Sequence, residues 1–390
     1  MKKILFVAFA ATLLAAGCQK TEIINQVPGD AMTFSTGMSK LTKSSGDAAD
    51  ADNDGMTNLK AQDFRVWASY VEADPQTGAA ANAFYDGMAN SPVTYELKDS
   101  KDTWNTDKQY YWPGTGKKLN FFAVSGVDNA AVDAATKTLT VSNFTVQHDN
   151  AQGGPNTDLM VADFVQQDQN GSADKSVALN FRHVLSKVEF WFATGTQDTK
   201  VWVQQISVDQ VNTKSTLTTT VAEANGVFTT TSTWGDVSDP QKFYDDYESE
   251  DGDNTDLPVV AADGVDPTEE NLVAHPNAEL NETENNMRLT SAAKCFTTWL
   301  VMPQDVKTVA ADGVDLKVRV VYIMGNRQFV SEFPLGGTSA EVPAWGKNQY
   351  IKYTITLTPN LISFNPSVED WTQDGAEGDS ETSKDVSQNN

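Results

Sequence analysis

Two cysteines are present in this 390-residue sequence, and the first, Cys18, stands where chemistry is expected. Lys2 and Lys3 precede a thirteen-residue apolar run, ILFVAFAATLLAA, which Gly17 and Cys18 close. A basic start, a short apolar core and small residues at the junction describe a bacterial export signal over residues 1–17. The run is shorter than the ~20 residues a spanning helix needs, and no second long apolar run follows, so no integral membrane segment is expected. The junction AAGC has the form of a lipobox, at which a lipoprotein signal peptidase cuts and leaves the cysteine diacylglycerol-modified; Ala15 stands where Leu is usual. Each buried methylene contributes about 0.8 kcal/mol, so dual or triple acylation anchors a protein where a single chain does not. Lipidation at Cys18 would hold the chain on an outer membrane.

The second cysteine, Cys295, lies in KCFTTWLVMP, which reads as a buried strand, so a small core hydrophobe is expected there. A catalytic thiol needs a neighbouring base, and His148, His183 and His275 sit in no nucleophile motif. Three His and two Cys are too few for a structural zinc site or a disulfide framework. Asp50, Asp52, Asp54 and Gly55 begin like a calcium loop, but the twelfth position is Ala61 instead of Glu and no flanking helices are expected. Asp251, Asp253 and Asp256 form a second acidic cluster; both read as solvated spacers, with no metal. Carboxylate pairs for glycoside hydrolysis need a shaped cleft and a raised pKa, neither visible in the sequence, so neither enzyme activity nor a cofactor is expected. Trp104, Trp112, Trp234 and Trp345 lie near turns, either as indoles that stack on a sugar ring or, more commonly, as caps of a β core. With 28 Lys+Arg against 53 Asp+Glu the net charge is −25, which repels phosphate backbones and anionic lipid alike. Nucleic acid is excluded as a partner, and membrane attachment is through the lipid alone.

These groups need a scaffold. At ~150 residues per domain, the length gives two to three domains. A chain that is 39% hydrophobic, with nine Trp, eighteen Phe and ten Tyr, is too apolar to be disordered throughout. Period-two alternation recurs, and no stretch sustains a 3.6-residue apolar period with caps, so the protein reads as all-β. The runs 32–36, 64–71, 109–112, 118–124, 138–146, 158–162 and 177–182 form one set of strands. The runs 187–193, 200–208, 226–231, 295–302, 314–324, 327–333 and 349–357 form a second. Between them the odd–even phase changes across HVLS, which marks a corner between sheets, and a domain boundary is placed at 184. The acidic stretch 235–286 reads as a long solvated insertion, and 372–390 as a disordered tail.

The order of the pieces is informative as well. A lipobox, MTFST, a Lys/Ser spacer, DFRVWASY, YYWPGTGKKLNFFAVS, DLMVA, VALNFRHVLSKVEF, VNTKSTL, LVMPQ, WGKNQYIKYTITL and ISFNPSVEDW follow one another, and over about residues 1–371 this succession resembles the fimbrillin family of type V pilus subunits. The resemblance implies two tandem transthyretin-like β-sandwich domains: a signal peptide (1–17), a lipidated leader with first strand and flexible spacer (18–60), sandwiches at 61–183 and 184–371, and the tail. It also implies a lipid-anchored precursor at the outer membrane and an extracellular fimbrium with a role in adhesion. In that family a surface trypsin-like protease removes the leader with its first strand, and a strand from another pilus subunit fills the groove. A sandwich missing one strand exposes unpaired N–H and C=O groups above an apolar trough, which is a template for another chain. Met32 and Phe34, with Met38 at the end of the run, would fill that trough in the uncut form. At about 1.5–3 kcal/mol for each fully buried large side chain, a few of them plus main-chain pairing can hold a joint. Family cleavage sites commonly carry Arg, whereas the first Arg here is Arg65, inside an expected strand. Lys43, with Lys40 as the fallback, is the expected cut site, since Lys60 lies close to the next strand. The tail lacks alternating apolar residues, which leaves Leu361, Ile362, Phe364, Val368 and Trp371 as the carboxy-terminal donor. These departures keep open an accessory role, or a non-polymerising surface lipoprotein that binds carbohydrate or other host ligands.

Overall fold

The computed structural model describes residues 30–38, 54–85, 87–114, 116–148, 157–172, 174–195, 201–246, 289–307, 315–324, 327–336, 344–358 and 362–370. Cys18, Lys40, Lys43, Leu361, Trp371, His275, most of the acidic stretch and the tail lie outside them. In chain order the elements are β1 (Thr33–Met38), α1 (Asp54–Ala61), β2 (Phe64–Tyr70), β3 (Ser91–Lys98), β4 (Lys101–Thr106), β5 (Leu119–Ser125), β6 (Ala130–Asp133), β7 (Thr138–Thr145), β8 (Met160–Ala162), β9 (Val165–Gln167) and β10 (Ser176–His183). They continue with β11 (Ser186–Thr194), β12 (Val201–Ala224), β13 (Val227–Trp234), β14 (Ser238–Asp246), β15 (Lys294–Val301), β16 (Gln304–Asp305), β17 (Lys317–Met324), β18 (Arg327–Pro334), β19 (Ala344–Trp345), β20 (Gln349–Leu357) and β21 (Ile362–Asp370).

An eight-stranded sheet runs β1-β10-β8-β5-β2-β3-β4, with β9 also on β5. Its end strands β1 and β4 touch, so the sheet curls around a core of its own that includes Met32, Phe34, Phe64, Trp104, Phe121 and Phe181. The rings of Trp104 and Phe181 both lie 5.1 Å from that of Phe64. The central strands β2 and β5 are buried on both faces: Phe121 and Ala123 face this core, while Trp67, Phe122 and Val124 belong to a second one. That is why LNFFAVS reads as a continuous apolar run instead of an alternating one.

The second core fills a sandwich between a four-stranded sheet, β15-β11-β20-β21, and a seven-stranded sheet built around β12. Strand β12 is 24 residues long; one edge carries β17 and then β7, and the other carries β14 and then β13. Asn225 (φ 53°) and Gly226 (φ 78°) both adopt the left-handed conformation, the requirement of a two-residue type I′ turn, and join β12 to β13 as a hairpin. The tip of this hairpin reaches the outer face of the first sheet. Phe164 lies 4.9 Å from Phe228 and 5.0 Å from Phe122 between ring centroids, and the Trp234 indole N–H donates to the Val184 carbonyl at 2.6 Å.

The chain does change sheet at HVLS, since β10 and β11 belong to different sheets. The hairpin β6–β7, however, lies before residue 184 and pairs with β12, so the expected unit 61–183 gives two strands to the other sandwich. Residues 109–112 make only a single bridge, Tyr111 to Ala31, instead of a strand. The pattern does not reveal β3 and β4, which are mostly polar, or β6 and β9, which are only four and three residues long. The expected insertion at 235–286 begins with β14, because the amphipathic edge of the long β12 has to be paired. The expected 200–208 strand runs to Ala224 because Val211, Thr213, Ser215, Leu217 and Thr219 continue the buried alternation, with small hydroxyl residues among the apolar ones. Helix α1 occupies the end of the expected spacer, where no helix was foreseen.

Candidate functional site

The leader segment 30–38 is held along both sides. Strand β1 pairs in parallel with β10, from Thr33 opposite Ser176 to Met38 opposite Phe181. On the other side Met32 N–H donates to the Tyr110 carbonyl at 2.8 Å, and Trp112 N–H donates to the Asp30 carbonyl at 3.0 Å. The Gln109 amide adds a bond to the Met32 carbonyl at 3.2 Å, and Lys175 pairs with Asp30. Met32 (3% exposed) and Phe34 (6% exposed) fill the first core, where the Phe34 ring lies edge-on to Phe121 at 6.5 Å, and Met38 packs half-buried against the same cluster. At Gly37 a Cβ would lie 2.8 Å from the Asn180 side-chain oxygen, which would have to turn aside to admit a larger residue.

Helix α1 closes one end of this groove. Leu59 is fully buried in the first core, and Thr36 of β1 directs its hydroxyl to the Met56 sulfur at 3.8 Å. The Asn58 amide donates to the buried Asp158 carboxylate at 3.1 Å, which also pairs with buried His183 at 2.9 Å. Gln62 bonds the Asp158 carbonyl at 2.6 Å and Ser125 at 3.0 Å. Lys60 is tied to Asp102 at 2.8 Å and lies 4.9 Å over the Tyr95 ring; its hydrogen bond to Asp102 raises its pKa. Neither Lys60 nor Arg65, which pairs with Asp128 from within β2, is presented as a flexible cleavage segment. The described chain stops at Met38 and resumes at Asp54, and the contact of Thr36 with Met56 holds these two ends together. Lys40 and Lys43 fall in the interval between them.

At the other end of the chain β21 pairs antiparallel with β20 over nine residues. Phe364 is buried, stacked 5.3 Å from Tyr353 and 5.5 Å from Phe333, whereas Val368 is 37% exposed and Ile362 half-buried. Ile362, Phe364 and Val368 repeat the spacing of Met32, Phe34 and Met38: the second residue two places on, the third six places on, with Pro366 and Thr36 at the intervening position. Period two puts each set on one face of its strand.

Other expectations are revised by packing. Cys295 is exposed on β15, on the outward side of an edge strand. Crowding of its sulfur by neighbouring side chains, and then the Glu189 carboxylate, push the thiol up to about 11, which keeps it protonated at neutral pH. Trp104, Trp112 and Trp345 are buried and Trp234 is half-buried with its N–H bonded, so all four pack and none is a free stacking platform. Asp54–Ala61, which would form the later part of a twelve-residue calcium loop, is the helix α1. Among the described residues no group of three or more His, Cys, Asp or Glu side chains could hold a metal, and no helix is long and apolar enough to cross a membrane. The pairing of Tyr110–Trp112 with the 30–32 segment, and the packing of α1 beside β1, carry no signal in the sequence beyond Trp112 preceding Pro113.

A model of fimbrillin-like proteins matches residues 48–371, well over half of the chain. Among solved structures, a fimbrial protein from Bacteroides vulgatus is similar at 16% identity, with a TM-score of 0.50, over 88% of this chain and 99% of that one. A Bacteroides uniformis protein assigned to cell adhesion is similar at 16% identity, with a TM-score of 0.41, over 80% of this chain and 91% of that one. No curated protein matches.

Proposed function

Because the chain belongs to the fimbrillin-like family, we propose that it is a structural component of a cell-surface fimbria, assembled by exchange of its leader strand for a strand of another subunit. The role is structural and adhesive, and the location is extracellular. In finer terms, the precursor is lipidated at Cys18 by way of a lipoprotein signal peptidase, its two sandwiches are transthyretin-like, and a trypsin-like protease cuts at Lys43 or Lys40.

The observation that carries this reading is the leader segment's place in the seam of the curled first sheet. Residues 30–38 hydrogen-bond to β10 and to Tyr110–Trp112 while Met32 and Phe34 fill the core, so their departure would leave two unpaired backbone lips over an apolar trough. While the leader is covalently attached, its effective concentration at the groove is about millimolar, and a neighbour's strand competes poorly. A cut removes that advantage without altering the contacts, and exchange then replaces Met, Phe and Met with Ile, Phe and Val at matched spacing, a nearly neutral swap in burial. Helix α1 stays with the body after a cut at either lysine, so it would set how far an incoming strand can enter. Departure of β21 from β20 sacrifices the Phe364 stack, and this favours a second reading in which the chain accepts a strand but donates none, as an accessory or anchoring subunit.

Treatment of the delipidated protein with a Lys-cutting protease tests both. Ladders on native gels and fibres by electron microscopy are the expected result, and substitution of both Lys40 and Lys43 should abolish them. Stable capture of added peptide 361–371 without ladders would favour the accessory role. Clean removal of the leader that yields only monomers and captures no peptide would overturn strand exchange.

A further inference from the structure

We propose that an open pocket of about 450 Å³ beside β14 is a binding site for a neutral sugar of one or two rings. None of its residues belongs to the eight-stranded sheet, so the proposal does not rest on strand exchange. The pocket lies where the chain leaving β7 passes the bulge in β12, and its volume falls within the ~300–1,000 Å³ usual for small-molecule sites.

Its floor is built and rigid. The His148 ring stacks on buried Phe243 at 4.8 Å and meets Trp299 edge-on at 5.3 Å. His148 Nε2 lies 3.1 Å from the Tyr244 carbonyl and 3.2 Å from the Asp245 carboxylate, two acceptors, so that nitrogen carries the proton. Burial would raise the Asp245 pKa, but hydrogen bonds from His148, Thr297 and Trp299 outweigh it and hold the carboxyl below its usual range, so the pair is set before any ligand arrives.

The rim decides the ligand class. Gln147 and Gln241 offer amides, Asp239 a carboxylate that already accepts from Gln241 at 3.0 Å, and Lys242 an ammonium group. Amides, a carboxylate and an ammonium group line the opening together, and ligands whose groups both donate and accept, the vicinal hydroxyls of a sugar, answer all of them. Asp239 and the chain's net charge of −25 disfavour an anion, and Lys242 disfavours a cation.

The sequence has only three His, so a histidine-labelled whole chain gives a short NMR spectrum in which buried His183 serves as an internal control. Galactose, fucose and N-acetylglucosamine, as in animal glycans, and maltose, cellobiose and xylobiose, as in plant glycans, would be titrated separately. Saturable movement of the His148 signals by at least one sugar, with His183 unmoved, is expected, and the effective set identifies the source. The double variant Gln147→Ala/Gln241→Ala should bind about tenfold more weakly, the loss of one or two net hydrogen bonds. Failure of every sugar to move His148 up to its solubility limit would overturn the proposal. So would equal movement in the double variant, or movement by glucuronate alone.

Discussion

Phe34 is the buried side chain of β1, packed edge-on to Phe121, while its neighbours within the strand are half-buried or exposed. Phe34→Ala should lower stability by about 3–5 kcal/mol, the range for emptying an aromatic core site, read by urea unfolding followed by near-UV circular dichroism. Phe34→Leu should restore most of it. If the Ala variant unfolds at the wild-type midpoint, the ring is not a plug and the leader is held by its backbone alone. The alternation of Met32 and Phe34 was legible because a half-buried strand needs it. Cys295 was misread for the opposite reason: its run is as apolar as a core strand, but β15 lies at the edge of its sheet, and edge position is set by pairing with β11 and not by composition.

Among the elements, the β12–β13 hairpin depends most visibly on one residue. Gly226 has φ 78°, and a Cβ there would meet nothing within 4 Å, so any cost of substitution comes from the backbone and not from a clash. Gly226→Ala should cost about 1–2 kcal/mol, the penalty of a left-handed L-residue, and Gly226→Asn clearly less. Urea midpoints of the two variants check this, and equal effects would mean that the turn relaxes to another type. An Asn-Gly pair between two alternating runs, as here, is a strong short-range hairpin signal. What it could not convey was the length of β12, whose second half sets Thr213, Ser215, Leu217 and Thr219 against Lys214, Thr216, Thr218 and Thr220 instead of apolar against polar.

At the scale of the whole molecule, the two sandwiches are joined by more than a linker. The outer face of β2 and β5, through Trp67 and Phe122, shares one apolar cluster with β7, β12 and β20, and Phe164 with Phe228 forms part of the contact. Thermal unfolding should therefore be a single transition, with coincident midpoints by tryptophan fluorescence and far-UV circular dichroism. The double variant Phe164→Ala/Phe228→Ala should separate it into two. Two transitions in the unaltered chain would show that the shared cluster contributes little coupling.

The sequence by itself determined the all-β class, most strand positions, the corner at HVLS, the candidate lipidation junction and the apolar alternation of Met32 and Phe34, because each is written in local period, turn chemistry or a short motif. Tertiary structure alone decided that β6–β7 pairs with β12 across the expected boundary, that Tyr110–Trp112 forms the second lip of the leader's groove, that α1 closes its end, and that His148 meets Asp245. Each of these is a contact between segments far apart in the chain. Such contacts depend on which buried faces and open edges remain once the local elements have formed, and a polar strand or a lone histidine looks alike in the sequence whether it faces water or a partner.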